Sequence, residues 1–150
     1  MTKPIFGVFM PQGWKMELVG IPDDQDKWAK AVEIAVRAEQ LGLHLNRGGL
    51  ADFYASAWAD DPAALREVLS EVKAPAELTR ILDESRKAFG AEVPASAEER
   101  GLFLSALAKK GVDPFNGLDA PLRELLYPYA DAVATWARGR AEALSPTPAK

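Results

Sequence analysis

The chain has 150 residues, 48% of them hydrophobic, which is enough for one domain with its own core and excludes a disordered chain. It has no apolar run of about 18–20 residues and no signal-peptide pattern at its start, so we expect neither a membrane span nor secretion. The absence of cysteine excludes disulfides and thiolate chemistry and is consistent with a reducing, cytoplasmic location, while a net charge of −4 does not favour nucleic acid as a partner.

The first predicted element is a short strand. Ile5–Met10 is an apolar run between two prolines, a pattern typical of a buried strand. Gln12, Gly13 and Trp14 follow as a turn or loop. Lys15–Ile21 alternates weakly, so it is either a second strand that closes a hairpin or an extended loop.

The next predicted element is a helix that Asp23 and Asp24 cap and that runs to about Leu41. Its apolar stripe consists of Trp28, Val32, Ala35 and Ala38. Gly42 is a plausible stop. The segment from His44 to Gly49, with two adjacent glycines, is then predicted to be a loop.

Residues 50–143 are predicted to be helical, because alanine is abundant there and Val and Ile are scarce. The predicted helices begin near Leu50, Asp61, Pro75, Ser96 and Asp119. Ser96 with Glu99 matches a capping box, and Phe103, Leu104 and Leu107 follow in that helix. Residues 145–150 are predicted to be a flexible tail.

The last predicted helix contains Pro128, which should kink or split it. Tyr129, Val133 and Trp136 share one face of this helix. Phe53, Tyr54 and Trp58 lie together on the helix predicted from Leu50. For all these rings we expect core packing, with a pocket or partner surface as the alternative.

Three polar groups are candidates for chemistry, and each also has a structural interpretation. His44, the single histidine, could be a general base, but no spacing provides its partner and a surface loop position is favoured. Asn46–Gly49 could bind phosphate but lacks a P-loop or GxGxxG pattern. Carboxylates at Asp23, Asp24 and Asp26, and again at Asp60–Asp61, fit helix capping better than a cation, so no metal is predicted.

Residues 5–43 resemble the opening of luciferase-like oxidoreductases, particularly the branch that uses deazaflavin F420 or a flavin. Ile5–Ile21, which reads IFGVFMPQGWKMELVGI, carries the resemblance, and Trp28 with its helix continues it. The resemblance implies the first strand, loop and helix of a TIM-type barrel. It also implies that Gln12, Gly13 and Trp14 line a flavin or F420 cavity; the alternative is a turn with a packed indole.

The rest of the chain departs from that family. After Leu43 the family has a second strand and an aspartate–histidine pair, whereas this sequence has neither, and His44 lies too early to take that role. A complete barrel needs about 200–250 residues. The resemblance therefore implies a fragment or derivative of such an oxidoreductase that does not catalyse alone.

The sequence thus predicts a single, mostly α domain over 1–150, with a short N-terminal strand or hairpin and not a complete TIM barrel. Two functions remain open. One is the luciferase-like derivative, with F420 or FMN as cofactor. The other is a non-catalytic helical module that binds a protein partner or an apolar ligand between its helices. A protein partner or a homo-oligomer is possible, and neither nucleic acid nor a membrane is expected as a partner.

Overall fold

A computed structural model describes residues 7–9, 15–18 and 20–146 of the chain. The strands are β1, Gly7–Phe9, and β2, Lys15–Glu17. The helices are α1, Gln25–Tyr54; α2, Pro62–Glu71; α3, Ala76–Ser85; α4, Ala97–Lys109; and α5, Asp119–Leu144. Two 3-10 turns, Ala57–Ala59 and Arg86–Phe89, connect them.

The described part of the chain is mostly helical, as predicted, and its two short strands form an antiparallel pair. Val8 pairs with Met16, so the hairpin alternative for this segment is confirmed. With two strands in the described residues, this part of the chain is not a complete TIM barrel. Gln12, Gly13 and Trp14 lie outside the described residues.

Helix α1 does not stop at Gly42, and residues 44–47 of the loop predicted at 44–49 are helical. Gly42 instead lies close to α5, since a Cβ there would lie 3.3 Å from Cε2 of Tyr129. The helix kinks at Gly48 and Gly49, where the backbone leaves helical geometry, and then continues to Tyr54. The glycine pair therefore separates two helical segments, and the predicted break before Leu50 is confirmed at these two residues.

Three of the predicted helix caps are confirmed. Asp24 Oδ1 accepts a hydrogen bond from the Lys27 amide, and Asp61 Oδ1 accepts one from the Ala64 amide, both at 3.0 Å. Ser96 Oγ accepts one from the Glu99 amide at 3.2 Å.

The prediction that Asp119 caps α5 is wrong. Asp119 is the first residue of α5, and its Oδ1 accepts a hydrogen bond from the Leu50 amide at 3.1 Å. The carboxylate thus satisfies the backbone of α1 just after its kink.

Helix α5 continues through Pro128 as one element of 26 residues, so the predicted split does not occur. The hydrogen bond that Pro128 cannot donate would have gone to the carbonyl of Glu124, one turn earlier. Both residues lie on the exposed side of the helix. Water can therefore donate a hydrogen bond to the Glu124 carbonyl, so the helix tolerates the one missing backbone hydrogen bond.

The core lies between α1, α2, α3 and α5. Its largest buried apolar residues include Leu41, Leu45, Leu50, Phe53, Leu78, Ile81, Leu122 and Tyr129. A smaller cluster near β2 consists of Leu18, Trp28, Ala31, Ala35, Ala137 and Ala141. Core packing is thus confirmed for Phe53, Tyr54 and Tyr129, whereas Trp58 and Trp136 are half-buried. In the described residues, every helix is too short or too polar to cross a membrane.

Candidate functional site

A surface groove lies between the C-terminal end of α2 and one face of α5, and we call it the α2–α5 groove. Its volume is about 620 Å³. The residues that line it are Glu71, Val72, Lys73, Pro128, Asp131, Ala132, Thr135, Trp136, Gly139, Arg140 and Ala143. This groove is the candidate functional site.

The floor of the groove is a stripe of small residues on α5. Ala132, Thr135, Gly139 and Ala143 follow one another at intervals of three or four residues and therefore share one helix face. From Pro128 to Ala143 the face is about 22 Å long at 1.5 Å per residue. A Cβ at Gly139 would meet no atom within 4 Å, so the floor is open there. The site is thus long and shallow.

One wall of the groove is a fixed indole. Trp136 Nε1 donates a hydrogen bond to Glu71 Oε1 at 3.2 Å, and Arg140 Nη2 donates to the same oxygen at 2.5 Å. These two donors, the indole first, lower the pKa of the Glu71 carboxyl, which stays ionised at neutral pH. A second groove of about 300 Å³ lies beyond and shares these three side chains.

Lys73 closes the end of α2 in an unusual backbone conformation. Its φ is +54°, a left-handed value that glycine adopts at least cost. The Ala74 amide donates to the Leu69 carbonyl at 3.0 Å and the Lys73 amide to the Ser70 carbonyl at 3.2 Å, which is a Schellman cap. A lysine therefore occupies a position that favours glycine, at the edge of the groove.

A second polar cluster lies at the kink of α1. His44 Nδ1 donates to Asp52 Oδ1 at 2.5 Å, and Arg47 donates to both carboxylate oxygens, at 2.9 and 3.1 Å. Arg47 first and His44 second lower the pKa of Asp52 to about 2. Residues eight apart on a straight helix are about 12 Å apart along its axis. The kink at Gly48 and Gly49 is what brings this cluster together.

This cluster joins the two sides of the kink, and it lacks the hydrogen-bonded hydroxyl of a nucleophilic catalytic site. Because the Asp52 carboxylate is ionised and only accepts, the proton between the two groups belongs to His44 Nδ1. In the described part of the chain, no hydroxyl is hydrogen-bonded to His44 and no set of side chains could hold a metal ion. His44 lies in a helix with 12% of its side chain exposed, so its predicted surface-loop position is wrong.

Several of the other predicted site residues have structural partners. Asn46 and Arg47 are helical, whereas Gly48 and Gly49 form the kink, and the Arg47 guanidinium is already bound to Asp52. Asp24 caps α1, which confirms the prediction of helix capping at this carboxylate. Asp60 pairs with Arg100. The cofactor prediction at Gln12, Gly13 and Trp14 lies outside the described residues and stays a prediction.

Sequence reasoning missed the α2–α5 groove. The signal in α5 was the series Ala132, Thr135, Gly139 and Ala143, small residues at helical spacing opposite the core stripe. No signal marked Lys73, because its left-handed conformation follows from where α2 ends.

No protein-family model, no curated protein and no solved structure matches this chain. The geometry of the groove and the chemistry of its edges are therefore the features that bear on function. The resemblance of residues 5–43 to luciferase-like oxidoreductases remains a prediction from the sequence.

Proposed function

We propose that this chain is a non-catalytic helical module that binds an amphipathic helix of a protein partner along the α2–α5 groove. The observation that carries the proposal is the shape of the floor, a stripe of small side chains about 22 Å long on a single helix. Small residues let a second helix approach closely, and an apolar face at i, i+3, i+4 and i+7 fits such a groove. A compact ligand would leave most of this length uncovered.

The walls of the groove indicate where the partner would gain affinity. Trp136 provides a large apolar surface whose orientation its hydrogen bond to Glu71 fixes before binding. Aromatic anchors of this kind contribute much of the energy in protein interfaces. The indole therefore serves as the main apolar contact of the proposed partner helix.

The charges at the groove edge suggest the polar pattern of the partner. Lys73 and Asp131 line the groove, and neither forms an ion pair within the residues that the structure describes. A partner helix with a carboxylate facing Lys73 and a basic group facing Asp131 would complement both. The cost of holding a lysine in a left-handed conformation supports a role for it in binding.

The experiment is a selection of helix-forming peptides displayed against the whole chain. We expect the enriched peptides to be amphipathic and to carry an acidic residue at one end of the apolar stripe. Gly139→Leu places a larger side chain on the floor at a position where a Cβ meets open space. It should weaken binding of the selected peptides by tenfold or more, about 1.4 kcal/mol.

Arg138→Leu is the matched control, since Arg138 is exposed on the same helix and does not line the groove. It should leave peptide affinity within about twofold of the original, a few tenths of a kcal/mol. Selected peptides that bind Gly139→Leu as tightly as the original chain would refute the groove as the binding site.

The second candidate is the luciferase-like derivative with bound F420 or FMN. The observation in its favour is that the paired strands β1 and β2 precede and follow Gln12, Gly13 and Trp14 in the sequence. The resemblance assigns cofactor binding to these three residues. The proposed location is cytoplasmic, in keeping with the absence of cysteine from the sequence.

Absorbance after gel filtration with F420 or FMN, followed by a hydride-transfer assay, tests this candidate. We expect no turnover by the chain alone, since a barrel site takes its walls from several strands. Stoichiometric cofactor with turnover that Gln12→Ala and Trp14→Ala abolish would replace the binding-module proposal.

A further inference from the structure

Helix α4 has an apolar surface that the rest of the described chain covers only in part, through the packing of the Phe103 ring against Phe89. Leu102 is 65% exposed and Phe103 is 36% exposed. Ala106, also exposed, lies one turn further along the helix. These three residues form a continuous apolar patch at the middle of the 13-residue helix. None of them lines the α2–α5 groove.

Charges of opposite sign flank this patch. Glu98 and Glu99 lie in the first turn of α4, and Lys109 and Lys110 lie at its end. All four side chains are exposed, and none takes part in an ion pair among the residues that the structure describes. One end of the exposed face is thus acidic and the other end is basic.

We infer that α4 pairs with the α4 of a second copy of this chain, antiparallel to it, about a twofold axis near Leu104. In that arrangement Glu98 of each copy faces Lys110 of the other, and Leu102 faces Ala106. Glu99 likewise faces Lys109. The symmetry operation that joins the apolar patches therefore also joins opposite charges at both ends of the contact.

The charge pattern selects this occupant over others. A parallel arrangement of two α4 helices would bring like charges together at both ends, which is unfavourable. An unrelated partner would need to reproduce the complementary order of charges that a second copy already has. The contact is short, because 13 residues of helix extend about 20 Å, so we expect a weak dimer in equilibrium with the monomer.

Sedimentation velocity of the full chain across micromolar to millimolar concentrations is the test. We expect a concentration-dependent dimer that added salt weakens, since exposed ion pairs are screened. Two charge-reversed variants, Glu98→Lys with Glu99→Lys and Lys109→Glu with Lys110→Glu, should each lose affinity for themselves by tenfold or more.

Mixing the two charge-reversed variants should restore dimerisation, because one has four basic side chains on this face and the other has four acidic ones. The matched control is Arg123→Glu with Arg138→Glu on α5, which makes the same net charge change as Lys109→Glu with Lys110→Glu but away from α4, and should dimerise as the original does. Circular dichroism checks that each variant is folded. Restored pairing in the mixture also separates loss of the contact from loss of the fold.

Leu102→Gln tests the apolar part of the contact and should weaken the dimer by tenfold or more. Tyr127→Gln, which changes an 81% exposed ring on α5, is its control and should have no effect. A chain that stays monomeric over the whole range overturns the inference. So does a dimer that the charge reversals leave unchanged, or a mixture that fails to associate.

Discussion

Helices α1 and α5 are held by rows of buried apolar side chains, whereas the one fully buried side chain of α4 is an arginine. Both long helices contribute rows of buried side chains to the core, among them Leu41, Leu45, Leu122 and Tyr129. In α4 the one buried residue is Arg100, which is 1% exposed. One chain thus uses two means of attaching a helix, and they should fail in different ways.

The attachment of α4 depends on the geometry of the guanidinium group. Arg100 Nε donates to the Tyr54 carbonyl at 2.7 Å, and Nη1 donates to the Pro94 carbonyl at 2.9 Å. Nη2 donates to the Ser56 carbonyl at 3.1 Å and also pairs with Asp60. The arginine therefore satisfies carbonyls at the end of α1 and just before α4.

The largest expected effect follows from removing this group. Arg100→Met keeps much of the side-chain volume but leaves three carbonyls without their donor, so we expect unfolding free energy to fall by about 3–5 kcal/mol. Hydrogen exchange should show faster opening in α4 than in α1 or α5. Arg138→Met on the exposed face of α5 is the control and should change stability by less than about 0.5 kcal/mol.

A loss under about 1 kcal/mol for Arg100→Met would mean that water replaces the arginine at these carbonyls. The attachment of α4 would then depend on its half-buried leucines, and the contrast with α1 and α5 would disappear.

The second prediction concerns the kink in α1, where the Asp119 carboxylate binds the backbone and adds to the apolar packing. Gly49 has φ of +68°, and a Cβ there would lie 2.7 Å from Asp119 Oδ1. Gly49→Ala should displace this carboxylate from the Leu50 amide and strain the backbone, at a cost of about 2–4 kcal/mol in denaturant melts.

Gly101→Ala in α4 is the matched substitution, because a Cβ there makes ordinary contact with Ala55 at 4.0 Å. It should be neutral or stabilise the chain by up to about 1 kcal/mol. Equal effects at the two glycines would show that the kink does not require glycine at position 49.

The sequence was informative where structure depends on near neighbours. The caps at Asp24, Asp61 and Ser96 were predictable because each side chain binds an amide three residues away. Gly42 was misinterpreted as a stop, and the close approach of Gly49 to Asp119 was missed, because both roles depend on α5, which lies far away in the sequence. Local pattern cannot show which distant residue a glycine will contact.

The candidate site was harder to predict than the fold, for the same reason. The small residues of α5 are adjacent by helical spacing, but a groove forms only where α2 ends beside them. Likewise, the burial of Arg100 depends on carbonyls that the fold brings around it. An arginine in an amphipathic helix is ordinarily exposed, so sequence alone favours the opposite answer.

The third prediction tests how much the polar cluster at the kink contributes. Asp52→Asn removes a carboxylate that binds Arg47 and His44, and we expect a loss of about 1–2 kcal/mol at pH 7, because the Arg47 end is exposed and screened. The pKa of Asp52 is lowered to about 2, below the ordinary value near 4. Its stabilisation is therefore present above about pH 4 and is lost as the pH falls through 2.

Urea melts from pH 7 to pH 2 should show the stability difference between Asp52→Asn and the original chain disappearing at the acid end. Asp131→Asn, at an exposed carboxylate without an ion pair in the described residues, should change stability by less than about 0.5 kcal/mol throughout. A difference for Asp52→Asn that does not depend on pH would point to packing, not charge, as the contribution of this residue.

The smallest expected effect has the opposite sign and connects stability to the proposed function. Lys73→Gly relieves the left-handed strain at the end of α2, so we expect unfolding free energy to rise by about 0.5–1 kcal/mol. The same change removes the positive charge at the edge of the α2–α5 groove and should weaken the selected acidic peptides severalfold. Lys87→Gly, at an exposed lysine outside the groove, is the control for peptide binding. A chain that gains stability and keeps full peptide affinity would show that Lys73 closes α2 without serving the groove.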